Sequence, residues 1–123
     1  MIIWLNGTFG AGKSATADRL SALVPGGRIF DPETVGYMLR SNLSGLDVAD
    51  FQDWQAWRPL VAATLAEVSK MTGAHLIAPQ TVLKKEYLEE IFAALRDAEI
   101  EVFHVVLDAS EEVLRSRIEG SDE

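Results

Sequence analysis

Residues 7–14 read GTFGAGKS, preceded by MIIWLN (1–6) and followed by ATADRLSALV (15–24). The eight residues fit G-x-x-x-x-G-K-[ST] at Gly7, Gly12, Lys13 and Ser14. A continuously apolar run, IIWL (2–5), stands before them, as expected of a strand buried on both faces of a parallel sheet. From Lys13 to Val24 the apolar spacing is helical until Pro25-Gly26-Gly27 stops it. Strand, glycine-rich bend and helix together predict a phosphate cradle. Gly7, Gly10 and Gly12 let successive N–H groups turn inward on one anion, and the helix tip adds its positive dipole end. Lys13 is placed to reach the outer phosphates, and the Ser14 hydroxyl to hold Mg2+.

The pattern continues as alternating strands and helices. RIF (28–30) reads as a short strand. Asp31-Pro32 then opens a helix to about Leu43. A second helix is predicted from about Ala49 to Met71, the strand HLIAP over 75–79, and an amphipathic helix from Lys84 to Ala98. The strand VFHVVL (102–107) and a last helix from Ser110 to Ile118 complete the series. This order implies right-handed crossovers and an α/β fold, a doubly wound parallel sheet. Sheets of this kind commonly carry a fifth strand and closing helix that are not seen here. The 123 residues therefore read as one domain and as the N-terminal part of a longer chain.

Composition narrows the class. The chain has 48% apolar and 24% charged residues, the balance of an ordinary globular domain. A formal net charge of −8 argues against a nucleic-acid partner, which needs a basic face. With no cysteine there is no disulfide, thiolate metal site or cysteine nucleophile. No apolar run approaches a transmembrane segment, and MIIWL is too short for a signal-peptide core, so the expected compartment is the cytoplasm. An uncovered fourth strand would invite pairing with a second copy, a possible homodimer.

Ligands of open parallel sheets lie beyond the carboxyl ends of the strands, so the residues following each strand enumerate the site. After the second strand comes Asp31. It can cap the following helix, and it can also face the phosphate loop to take a proton from an acceptor hydroxyl or hold a magnesium-bound water. The third strand ends in Ala78, Pro79, Gln80 and Thr81, where an acid helping to bind Mg2+ would be expected. Gln80 can bind a polar substrate group but carries no charge. Asp108, after the fourth strand, fits a capping box with Glu111. Trp54, Trp57, Val61 and Val68 share helical spacing, the usual mark of core packing. Arg40, Gln52, Trp57 and Arg58 also supply the aromatic, amide and cationic groups of an acceptor pocket. His75 and His104 have no acids at ligand spacing and read as packing or surface residues. KKEYLEE (84–90) reads as a solvated helix face.

Taken together, MIIWLNGTFGAGKS, FDPETVGYMLR, DFQDWQAWRP, LIAPQTV and EEVLRSRIEG resemble the tunicamycin-resistance protein family. Its members are P-loop proteins related to nucleoside monophosphate kinases and similar to chloramphenicol phosphotransferase. The resemblance implies a kinase-like P-loop fold with ATP held by Gly7, Thr8, Phe9, Gly10, Ala11, Gly12, Lys13, Ser14 and Ala15. It puts Asp31, Glu33, Gly36 and Arg40 on the acceptor side and suggests substrate contact for Gln52, Trp57 and Arg58. Arg115 and Arg117 resemble the approach to the arginine-bearing lid of the related kinases, and the lid and last strand are not in the sequence. Two functions follow. One is an ATP-dependent small-molecule kinase in which Lys13 and Asp31 are catalytic and Ser14 and Asp31 serve Mg2+. The other is an ATP-dependent binder that sequesters an antibiotic such as tunicamycin without chemistry, a reading favoured by the missing acid at the third strand.

Overall fold

Strand β1 (Ile2–Gly7) runs through the middle of a four-stranded parallel sheet, in the computed structural model that describes residues 1–7 and 12–107. Helix α1 (Lys13–Leu23) leads to β2 (Gly27–Ile29), and α2 (Glu33–Asn42) follows. A single 3-10 turn (Phe51–Asp53) precedes α3 (Trp57–Thr72). Then come β3 (His75–Pro79), α4 (Lys85–Asp97) and β4 (Val102–Leu107). The strand order is β2-β3-β1-β4, all parallel. The doubly wound expectation therefore holds. Asp108, the 110–118 helix, Arg115 and Arg117 lie outside the described residues, as do Thr8, Phe9, Gly10 and Ala11 of the phosphate loop.

The period of two in β1 divides the core between the two faces of the sheet. Ile2 and Trp4 join Leu76 and Ala78 of β3 beneath α3 and α4, packing on Val61, Leu65, Leu88, Ile91 and Leu95. Ile3 and Leu5 point the other way, with Ile77, against Ala17 and Leu20 of α1. Each large side chain fully buried this way contributes roughly 1.5–3 kcal/mol. Strand β4 lies at the edge of the sheet, with Phe103 and Val106 more than half exposed.

The helix expected from Ala49 to Met71 is broken. Pro59 has no N–H, and inside a continuous helix its ring would strike the carbonyl four residues earlier. In the first turn of α3, where no such bond is required, it is tolerated. Upstream, the Asp50 carboxylate accepts the Gln52 N–H at 2.9 Å and closes the separate 3-10 turn. Trp54 therefore falls outside any α-helix. Its indole N–H donates to the Leu46 carbonyl at 2.7 Å, tying down the preceding loop.

Candidate functional site

The phosphate-loop residues within the described structure have the geometry an anion requires. Gly12 holds φ +86°, a left-handed conformation that an L side chain resists, and it hands the chain straight into α1. The first bond of that helix runs from Thr16 N–H to Gly12 C=O at 3.0 Å. The amides of Lys13, Ser14 and Ala15 thus precede the first helical bond. Gly12 has no side chain to cap this end, and no acid stands in its first turn. A positive helix tip behind a left-handed glycine fits a nucleotide phosphate. Among the described residues no group of three or more His, Asp or Glu side chains could hold a metal ion. Ser14, with the phosphates of a nucleotide and water, is an oxygen donor set that suits Mg2+.

At the other end of the loop, Gly7 is fixed from β3. The β1–β3 ladder ends with Gln80 N–H on the Leu5 carbonyl at 3.0 Å. Beyond it, the Asn6 side chain donates to Val82 C=O at 2.9 Å and accepts the Val82 N–H at 3.0 Å. The same amide oxygen also takes the Gly7 N–H at 3.0 Å, and the Thr81 hydroxyl donates to Gly7 C=O.

Asp31 leaves the end of β2 on the exposed surface. Its Oδ1 accepts the Glu33 N–H at 3.0 Å, and its carbonyl accepts both the N–H and the hydroxyl of Thr34, at 3.1 and 2.7 Å. The capping role is therefore present, and one carboxylate oxygen remains for other work. Strand β3 separates β2 from β1, so Asp31 and the phosphate loop stand on strands two spacings apart, about 10 Å.

A cavity of 520 Å³ opens beside them, between α2, the 3-10 turn and the β3–α4 loop. Glu33 and Arg40, two helical turns apart, come from one face of α2. Asp50, Phe51, Gln52 and Asp53 form a second wall, and Gln80, Thr81, Lys84 and Tyr87 a third. Three of the five candidate substrate residues, Arg40, Gln52 and Gln80, are thus brought together. Gln52 donates to Thr81 C=O at 2.7 Å and lies in the wall, 7% exposed. Gln80 is 6% exposed; its amide donates to Thr81 C=O at 3.3 Å, and its Oε1 has no partner.

The other two stand behind the wall. Trp57 is fully buried, with its ring 5.2 Å from that of Phe51 and its N–H on Pro32 C=O at 3.2 Å. It offers no face to the cavity; Phe51 and Tyr87 do. Arg58 donates to Gln52 C=O at 2.6 Å, pairs with Glu90, and lies 4.0 Å over the Tyr87 ring. It braces the wall from outside. The bracing continues in a cluster the sequence reading passed over as a solvated helix face. The Tyr87 hydroxyl donates to Asp53 at 2.7 Å, and Lys84 reaches both, at 3.3 Å from Asp53 and 3.4 Å from Tyr87. Hydrogen bonds from Tyr87 and then Lys84 hold the Asp53 carboxyl below its ordinary range, and Tyr87 and then Asp53 raise Lys84. Outside the cavity, the Tyr37 hydroxyl donates to Glu33 at 3.0 Å, and that bond raises the phenol above its usual value. His104 packs edge-on against Phe92 and His75 begins β3 half-buried, in keeping with packing roles.

Residues 2–121 match a family described as an AAA domain. The tunicamycin resistance protein of Deinococcus radiodurans is 33% identical in a structural match with TM-score 0.83, over 95% of this chain and 67% of that one. The chain belongs to the tunicamycin-resistance protein family of P-loop proteins. Two further structures share the fold at lower identity. A gluconokinase from Sinorhizobium meliloti has TM-score 0.67 and 20% identity over 96% of this chain and 63% of its own. An APS kinase from Mycobacterium tuberculosis has 0.63 and 21%, over 94% and 66%. The present chain spans about two thirds of the length of each of these proteins. A comparison with curated protein sequences gives no match. Kinases among the fold neighbours and the phosphate-loop motif mark a nucleotide-binding, kinase-like fold. Among the described residues no helix is long and apolar enough to cross a membrane.

Proposed function

We propose that the chain binds ATP with Mg2+ at residues 7–15 and is the nucleotide-binding part of a cytoplasmic small-molecule kinase connected with tunicamycin resistance. The observation that carries this reading is the pairing of the α1 tip behind Gly12, with no acid in its first turn, and a cavity one strand away lined by charged and amide side chains. ATP, when bound, supplies the phosphoryl group. Lys13 and the amides of residues 12–15 hold and neutralise its phosphates, and Ser14 holds the metal. Arg40, Gln52 and Gln80 orient the acceptor. Asp31 accepts the proton of the acceptor hydroxyl as that oxygen bonds to phosphorus, and the bond to ADP breaks. The gain in rate comes from positioning and charge neutralisation.

A second reading, ATP-dependent sequestration of an unmodified antibiotic, is favoured by one feature. Gln80 and Thr81 stand at the end of β3, where an acid would assist Mg2+. Incubating the full chain with Mg2+, labelled ATP and tunicamycin separates the two. Label on the antibiotic supports the kinase; ATP-dependent retention of unlabelled, unaltered antibiotic supports the binder and overturns the kinase.

A further inference from the structure

Thr81 is bonded in two directions at once. Its hydroxyl donates to the carbonyl of Gly7, the root of the phosphate loop. Its own carbonyl accepts the side-chain amides of Gln52, at 2.7 Å, and Gln80, at 3.3 Å, both in the cavity wall. From Gln52 the connection continues outward, because the Gln52 carbonyl accepts Arg58 and the Gln52 N–H is held by Asp50. Beside it, Asn6 clamps both backbone groups of Val82 and so fixes the residue that follows. The β1–β3 backbone ladder has already ended at Leu5 and Gln80, so among the described residues side chains carry the link across this edge. In-line transfer is sensitive to displacements of an ångström or less between donor and acceptor. A link that sets the cavity wall against the phosphate loop therefore bears directly on the chemistry.

We propose that Thr81 is a positioning residue that registers the acceptor cavity against the phosphate loop, so that filling the loop with ATP stiffens the 50–53 wall. This rests on the reading that residues 7–15 hold ATP. Where related chemistry would use an acid on the metal at this strand end, the present chain uses a hydroxyl on the backbone. The coupling needs no acceptor to be seen, because an occupied loop holds Gly7 in place and Thr81 passes that restraint on to Gln52.

Backbone amide exchange on the full chain tests it, with and without ATP at concentrations that calorimetry shows to saturate each variant. The amides of Ser14 and Ala15 report the loop, and those of Gln52 and Asp53 report the wall. In the unaltered chain and in Thr81→Ser, which keeps the hydroxyl, ATP should slow exchange at both places, by about fivefold or more at the wall. In Thr81→Val, which keeps the shape and removes the donor, slowing should survive at Ser14 and Ala15 and vanish at Gln52 and Asp53. Slowing at the wall that persists in Thr81→Val overturns the role. So does an unaltered chain that binds ATP and slows only at Ser14 and Ala15, a result that stands even if Thr81→Val fails to fold. No heat of ATP binding in the unaltered chain overturns the reading of the loop itself and this role with it.

Discussion

Phe51 occupies the space that a side chain on Gly36 would need: a Cβ built there would lie 2.6 Å from Phe51 Cγ and 2.7 Å from Cδ2. Glycine in the middle of α2 is thus a packing requirement that lets the 3-10 turn lie against the helix. Gly36→Ala should push Phe51 off this seat and cost about 1–3 kcal/mol by overpacking. Urea unfolding measures it. Since Phe51 lines the cavity, antibiotic binding should weaken in the same variant.

Trp57 separates a core role from a substrate role. Trp57→Phe removes the indole donor from the Pro32 carbonyl, which keeps only the Val35 N–H, and opens space beside Phe51. A loss of about 1–3 kcal/mol is expected, with the ATP-binding heat unchanged in the folded protein. Undiminished stability together with lost tunicamycin binding would return Trp57 to the ligand.

Asp31→Asn tests the proposed base without disturbing the helix, because asparagine caps as well as aspartate. The thermal midpoint and ATP affinity should hold while phosphoryl transfer falls by roughly 10²–10⁴-fold. Transfer at the original rate would remove Asp31 as the base.

The Asp53–Tyr87–Lys84 cluster has a defined pH window. Asp53 titrates below its ordinary 3.8, so its contribution is complete above that value and is lost as pH falls through the lowered pKa. Lys84 titrates above its ordinary 10.5, so its share is complete below that value and is lost as pH rises through the raised pKa. Tyr87 is the leading cause of both shifts. Tyr87→Phe should therefore move the Asp53 carboxyl resonance to titrate at higher pH and the Lys84 resonance at lower pH, as followed by NMR.

Much of this was legible from local patterns. The buried run 2–5, the helix stop at Pro25-Gly26-Gly27 and the strand at 75–79 come from short-range rules, and the parallel α/β class follows from their alternation, whereas the order β2-β3-β1-β4 is seen only in the fold. The helix expected over 49–71 starts only at Trp57, because its apolar spacing is sound while Pro59 forbids the part upstream. The candidate substrate residues Arg40, Gln52 and Gln80, which line the cavity, are legible from their chemistry and their places along the chain. Tyr87 and Lys84 were hidden, since their helix carries many charges and only the fold sets two of its residues against Asp53. Trp57 and Phe51 look alike in sequence, and which of the two faces the cavity depends on the packing against Gly36. Thr81 is legible only as a residue following the third strand; its role and that of Asn6 give no signal, because their partners are backbone groups 74 and 76 residues away.

The central claim is that the bend between β1 and α1 grips the phosphates of ATP. Calorimetric titration of the full chain with magnesium-ATP tests it most directly, with Lys13→Ala alongside. Saturable binding near one nucleotide per chain, weakened in Lys13→Ala, is the predicted result. No heat from the unaltered chain, or equal affinity in Lys13→Ala, would contradict it.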